Sequence, residues 1–253
     1  MNQPADSKEG PSVKKQLAEA LTEWQEMASP LYGWNWHDTT GGSFSVRLRS
    51  QGTLFALTPE HAGFRRWKLI ERGLVGLNMN LERSTYTTAS EDLSAHPGAR
   101  VHQNSYRHFP LANAALHDHA AYSLAFACAT ASMQPFTPQS QMLGEIPCLD
   151  SDVDQVEERH KSLVHEQEQQ ITSGVAGSDC VARHCSGLPG QDISRLGDRA
   201  GELKRHGLAF TVYQHGVFVM ARILSEAFDN PIRVERNDQI RLLVRDQPFT
   251  PQI

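Results

Sequence analysis

With 253 residues, 39% of them hydrophobic and 21% charged, the chain has the composition of a soluble globular protein with an ordinary core. Its formal net charge of −5 supplies no basic field, which argues against nucleic acid and anionic membranes as partners. It leaves room for a small anionic substrate, because a bound metal reverses the local sign of charge.

The N-terminus, MNQPADSKEGPSVKK, has no apolar run of the signal-peptide kind. The most apolar stretch, residues 112–131, carries His117, Asp118 and His119 and makes a poor membrane span. Cys128, Cys148, Cys180 and Cys185 are too few and too irregularly spaced for a disulfide framework. The expectation is a reduced, cytoplasmic protein with a small-molecule substrate.

Residues 1–12 read as a disordered lead-in and 13–253 as one domain. Val13, Leu17, Leu21 and Trp24 recur at three- and four-residue steps, predicting an amphipathic helix over 13–27 that Ser29-Pro30 stops. The turn 39–43, rich in Thr and Gly, leads into an alternating strand at 44–48. Residues 53–57 read as its partner across the turn Ser50-Gln51-Gly52. Residues 67–81 predict a short helix and then a strand ending in Val75-Gly76-Leu77. Further on come a helix over 102–109, a strand over 114–119 and a helix over 121–131.

The stretch 150–187 departs in composition, being rich in Asp, Glu, Gln and Ser, and reads as an acidic, largely exposed insert. Its His160, His165 and Glu166 belong to a solvated face. The spacing of Cys180, His184 and Cys185 does not match the usual zinc pairs. Residues 209–213 and 217–220 read as paired strands about Gln214-His215-Gly216. Residues 225–243 predict a closing helix interrupted at Pro231, which suits a helix start. Alternating strands and helices place the chain in the α/β class.

The strongest chemical signal is Leu116-His117-Asp118-His119. Residues two apart on a strand share a face, so both imidazoles can reach one ion at the point where strand gives way to helix. His215 precedes Gly216, whose permissive backbone allows a tight turn. Three imidazoles with an open fourth position form a usual catalytic zinc set, although spacing alone does not bring His215 to the other two.

The order GW…TTGGSFSVRL, LTPEHAG, VHQNSYRHFPLANAALHDHAAYSLAFA and YQHGVFV, followed by SEAF and VER, resembles the class II aldolase/adducin family over roughly residues 15–240. The resemblance implies an αβα sandwich around a mixed sheet, a homotetramer, and zinc held by His117, His119 and His215, with Fe2+ or Mn2+ as alternatives. Gly41, Gly42, Ser43 and Thr58 fall in its substrate-binding motifs. Within the family, Gly33-Trp34, the motif 40–48 and Leu188-Pro189-Gly190-Gln191-Asp192-Ile193 are most similar to methylthioribulose-1-phosphate dehydratases.

Two departures stand out. Family enzymes carry a Glu four residues before the histidine matched by His102, and that position here is Gly98; residues 95–100 contain no carboxylate. The phosphate grip is altered too, with Ser43 in place of an Asn, Glu60 after Thr58-Pro59, and His96-Pro97 in place of serines. Glu60 repels a phosphate unless paired, and Arg65, Arg66 and Lys68 follow it. The candidates for the proton shuttle are His96, Tyr106 and Tyr122, with Glu157, Glu158 or Glu166 of the insert as a further source. The resemblance implies a metal-dependent lyase of aldolase, dehydratase or decarboxylase type, working through a metal-stabilised enediolate on a sugar, sugar phosphate or hydroxy or aromatic acid. A non-catalytic, adducin-like binding protein is the alternative.

Overall fold

In the computed structural model, which describes residues 12–34, 42–48, 54–59, 73–96, 98–129, 132–149, 193–213 and 215–244, helix α1 spans Val13–Gly33. Its inner stripe is Val13, Leu17, Ala20, Trp24, Ala28 and Leu31, all buried. The expected stop at Ser29-Pro30 does not occur. A proline inside a helix costs about 3 kcal/mol. Burying Leu31 returns about 2 kcal/mol, and the Trp34 amide closes the last turn on the Pro30 carbonyl at 2.8 Å. Packing outweighs the local rule.

Strands β1 (Ser43–Arg47), β2 (Leu54–Leu57) and β3 (Val75–Asn78) form an antiparallel meander. Helix α2 (Ala99–His108), strand β4 (Ala114–Asp118), helix α3 (Ala121–Cys128), the single turn α4 (Pro138–Gln141) and strand β5 (Cys148–Leu149) follow. A 3-10 segment, Gly197–Lys204, precedes the hairpin of β6 (Leu208–Val212) and β7 (Gly216–Ala221), and helix α5 (Leu224–Val244) closes the chain. The seven strands are ordered β3-β2-β1-β4-β7-β6-β5. The β5–β6 pair is parallel and every other pair antiparallel, so the sheet is mixed.

Strand alternation sorts the core into two layers. Phe44, Ala114, Leu116 and Ala221 face α1 and the start of α5, where the Trp24 ring stacks on Phe44 with centroids 4.8 Å apart. Ala209, Val217 and Val219 lie on the same side under Val234, Met133 and Ile146. Phe55, Leu57, Ala115, Phe210, Phe218 and Met220 face α2 and the 3-10 segment. The result is the expected three-layer α/β arrangement around a central mixed sheet.

Pro231 does not begin a helix. It lies inside an uninterrupted α5, because Leu224, Ala227, Pro231 and Val234 share one buried stripe that holds both halves on β4 and β7. The helix after His119 ends at Cys128, short of the expected 131. The predicted lead-in, except Ser12, the short helix beginning at Trp67 and the acidic insert with its histidines, cysteines and carboxylates lie outside the described residues. Among the described residues, no helix is long and apolar enough to cross a membrane.

Candidate metal centre

Three strands meet where the histidines lie. His117 is the penultimate residue of β4, paired with Ser43 of β1 on one side and Phe218 of β7 on the other. His119 follows the strand end, and His215 occupies the turn that feeds β7. Gly216 makes this approach possible. Its φ is +117°, and a Cβ there would lie 2.2 Å from the Asp118 carbonyl oxygen and 3.1 Å from His119 Cδ2. Only glycine both adopts that backbone and leaves the room.

The ligand-capable atoms of His117, His119 and His215 all lie within 4.8 Å of one another. Among the described residues, no other group of three His, Cys, Asp or Glu side chains comes together in this way. His117 Nδ1 lies 3.0 Å from the Val217 carbonyl, which can only accept, so the proton is on Nδ1 and the Nε2 lone pair faces His119 Nε2 at 2.9 Å. Burial, followed by the proximity of His215 and His119, holds His117 well below the ordinary histidine range and keeps it neutral. Neutral rings with converging lone pairs are the protonation state a divalent cation requires, and a carbonyl on the far nitrogen is the usual way such a ring is oriented. The donor set fits a metal. Phe218 stacks on His117 at 3.9 Å and 7°, and Phe210 stacks on Phe218 in turn, so the ring row is apolar underneath.

Around this cluster the chain adds polar groups. His96 is buried, close enough for its charge to oppose protonation of His117, and its Nδ1 accepts the Gly98 amide at 3.0 Å. A Cβ on Gly98 would sit 3.0 Å from His96 Nδ1, so the absence of a side chain lets the His96 ring approach the backbone closely, with Ser43 Oγ 3.8 Å from the same point. Thr58 Oγ1 accepts the Phe44 amide, and its carbonyl accepts the His96 amide at 3.3 Å, tying the His96 segment to the end of β2. Gly42, φ +91°, carries the chain into β1, whereas Gly41 lies outside the described residues.

The three proton-shuttle candidates land in different places. His96 borders the histidine cluster. Tyr106 is buried against Phe55 and reaches the site only through Ser45 and His102. Tyr122 lines a pocket of about 330 Å3 with Trp34, Arg236 and Gln239.

Sequence reasoning passed over His102, which lies between Ser43 Oγ at 2.8 Å from its Nε2 and Ser45 Oγ at 2.7 Å from its Nδ1. Burial pushes this ring down to about 3. The signal was present: Ser43, Ser45 and Arg47 alternate along one strand face, and His102 and Tyr106 stand four apart on one helix face. Asp118, between the two strand-end histidines, points to the opposite face of the sheet. Its Oδ1 accepts the Ala120 amide, and burial pushes its carboxyl up to about 8.

Residues 23–242 match the class II aldolase and adducin N-terminal domain. The chain belongs to the class II aldolase/adducin family. Among solved structures it is similar to YgbL from Escherichia coli, at 18% identity, TM-score 0.62 and 94% of each chain covered. L-fuculose-1-phosphate aldolase from Thermus thermophilus aligns at 18% identity and TM-score 0.60, over 93% of this chain and 100% of the other. L-fuculose 1-phosphate aldolase from Glaciozyma antarctica aligns at 14% and 0.63, over 100% of this chain and 82% of the other. At these identities the likeness is one of fold. A comparison with curated proteins found no match. Within the class II aldolase fold, the histidine cluster lies at the end of the two central strands, β4 and β7.

Proposed function

We propose that this class II aldolase-family chain is a zinc-dependent lyase, of aldolase, dehydratase or decarboxylase type, acting on a small oxygenated acid or sugar. The observation that carries the reading is the convergence of His117, His119 and His215 beside a buried His96. When bound, the metal supplies Lewis-acid polarisation of a substrate oxygen and stabilises charge developing next to it.

The chain's own residues supply the rest. His117, His119 and His215 hold the ion and leave one side open. Since His96 Nδ1 accepts the Gly98 amide, the neutral ring carries its proton on Nε2, the atom we assign to proton exchange. A histidine suits that task near neutral pH, and it takes over from the carboxylate that residues 95–100 lack. Burial of the cluster keeps water from competing with the substrate. The altered phosphate motifs favour a substrate without a phosphate group, such as a hydroxy or aromatic acid.

The test is metal content of the purified full chain by mass spectrometry, beside His117→Ala and His215→Ala. About one equivalent is expected per chain, lost in both variants. His96→Gln should keep the metal and lose roughly a hundredfold or more in turnover across a panel of sugars, sugar phosphates and hydroxy and aromatic acids. No metal in the unmutated chain, even after reconstitution with zinc, sinks the proposal and leaves a non-catalytic, adducin-like binding protein.

A further inference from the structure

Four side chains link the core to the metal-binding face in one unbroken line. Tyr106 Oη lies 2.8 Å from Ser45 Oγ, Ser45 Oγ 2.7 Å from His102 Nδ1, and His102 Nε2 2.8 Å from Ser43 Oγ. His102 is buried and neutral, so one ring nitrogen donates and the other accepts. That leaves two arrangements, one for each tautomer of the ring. In the first the proton is on Nδ1: Ser43 donates to His102 and His102 to Ser45, and only one of the Ser45 and Tyr106 hydroxyls can spend its proton on the bond between them. The proton of the other hydroxyl then has no acceptor among the described residues, since Ser45 Oγ and Tyr106 Oη make no hydrogen bonds beyond this line, and the Arg47 guanidinium lies 4.9 Å from the Tyr106 ring centre. A buried donor with no acceptor is seldom tolerated, and the Arg47 charge favours the oxygen lone pairs turned toward it. In the second, every proton points outward. Tyr106 donates to Ser45, Ser45 to His102 Nδ1 and His102 Nε2–H to Ser43, and the one remaining donor is the Ser43 hydroxyl.

We infer that Tyr106, Ser45 and His102 are positioning residues that fix the Ser43 hydroxyl as a hydrogen-bond donor, aimed at an anionic or carbonyl oxygen of the substrate. Ser43 is the cross-strand partner of His117, so its side chain stands on the same face of the sheet, beside the histidine cluster. A substrate oxygen held at that cluster meets a donor whose direction is set in advance, which is how a site favours developing negative charge over a neutral hydroxyl. The substrate half of this inference rests on the lyase reading, whereas the direction of the line does not.

The direction is read from the nitrogen-15 spectrum of the metal-free, full-length chain, where a protonated and a bare ring nitrogen resonate far apart. His102 is expected as a single tautomer with the proton on Nε2, and as a mixture in Ser45→Ala, where Nδ1 has lost its donor. A proton on Nδ1 in the unmutated chain overturns the inference, and that measurement needs no variant to fold. Oxalate binding to the zinc-loaded chain tests the substrate half. Ser43→Ala and Ser45→Ala should each weaken it, the former by roughly tenfold or more, with zinc content unchanged. Equal oxalate affinity in all three proteins overturns that half. Failure to hold zinc refutes the lyase reading instead, and the tautomer still decides the direction of the line.

Discussion

Glu235 accepts both the backbone amide and the hydroxyl of Ser123, each at 2.8 Å. With the Tyr122 amide at 3.1 Å it satisfies the first turn of α3, whose N-cap residue Ala120 has no side chain able to do so. A carboxylate from the last helix therefore anchors the helix that begins two residues after His119. Glu235→Ala should destabilise the chain by about 2 kcal/mol in urea denaturation. It should also weaken zinc binding, measured by chelator competition, since His119 is held by the same junction. Unchanged zinc affinity would separate the junction from the site.

Gly216→Ala puts a methyl group into the Asp118 carbonyl at a backbone angle that L residues rarely adopt. We expect a loss of about 1–3 kcal/mol in stability. Near-complete loss of bound metal should accompany it, because His215 precedes the distorted residue. Alanine tolerated with metal retained would contradict the packing described for the turn.

Zinc should act as a folding ligand. At a hundredfold excess over its dissociation constant it should stabilise the chain by about 2.7 kcal/mol, reversibly on adding a chelator. His119→Ala should abolish that increment while folding unaided. Calorimetry with and without zinc makes the comparison.

Asp238 and His102 set opposite pH dependences. Burial pushes the Asp238 carboxyl up to about 8 against the opposing Asn237 amide, with Glu235 adding to the rise. The folded chain thus keeps a proton that the unfolded chain, with its ordinary value of 3.8, releases. The stability this provides is full below about pH 4 and is lost as pH rises through about 8. Asp238→Asn should flatten this decline in urea titrations across the range, and an unchanged slope would argue against a buried acid. Burial pushes His102 down from 6.5 to about 3, so its contribution is full above 6.5 and is lost as pH falls towards 3. Its ring protons should show no titration shift in NMR until the pH approaches about 3.

Much of the layout was legible. The alternation Phe44-Ser45-Val46 located β1 within a residue, and the two histidines expected on one strand face do reach one cluster, although β4 ends at Asp118 and His119 lies just beyond it. The errors have a common cause. Pro30 and Pro231 are local stop or start signals, and burial of Leu31 and Val234 overrode them. Strand β5 is two residues long and pairs in parallel with β6, so no local pattern announces it. The turn α4 did carry a signal, Thr137 before Pro138 and Ser140, a capping box that a close reading of 137–140 would have caught. Contact of His102 with Ser43 and Ser45 spans 59 and 57 positions, and only the folded sheet brings periodicities of two and four into register.

The sheet order bears on how such a chain emerges from the ribosome. Strand β4 leaves synthesis early, but its neighbour on one side is β7, which begins 98 positions after β4 ends. At elongation rates of roughly 5–20 residues per second, the open edge of β4, with His117 on it, waits about 5–20 s for its partner. His215 arrives with that same partner. Three-histidine capture of metal therefore reports that the last hairpin has docked, and a nascent or truncated chain ending before His215 has only two of the three histidines.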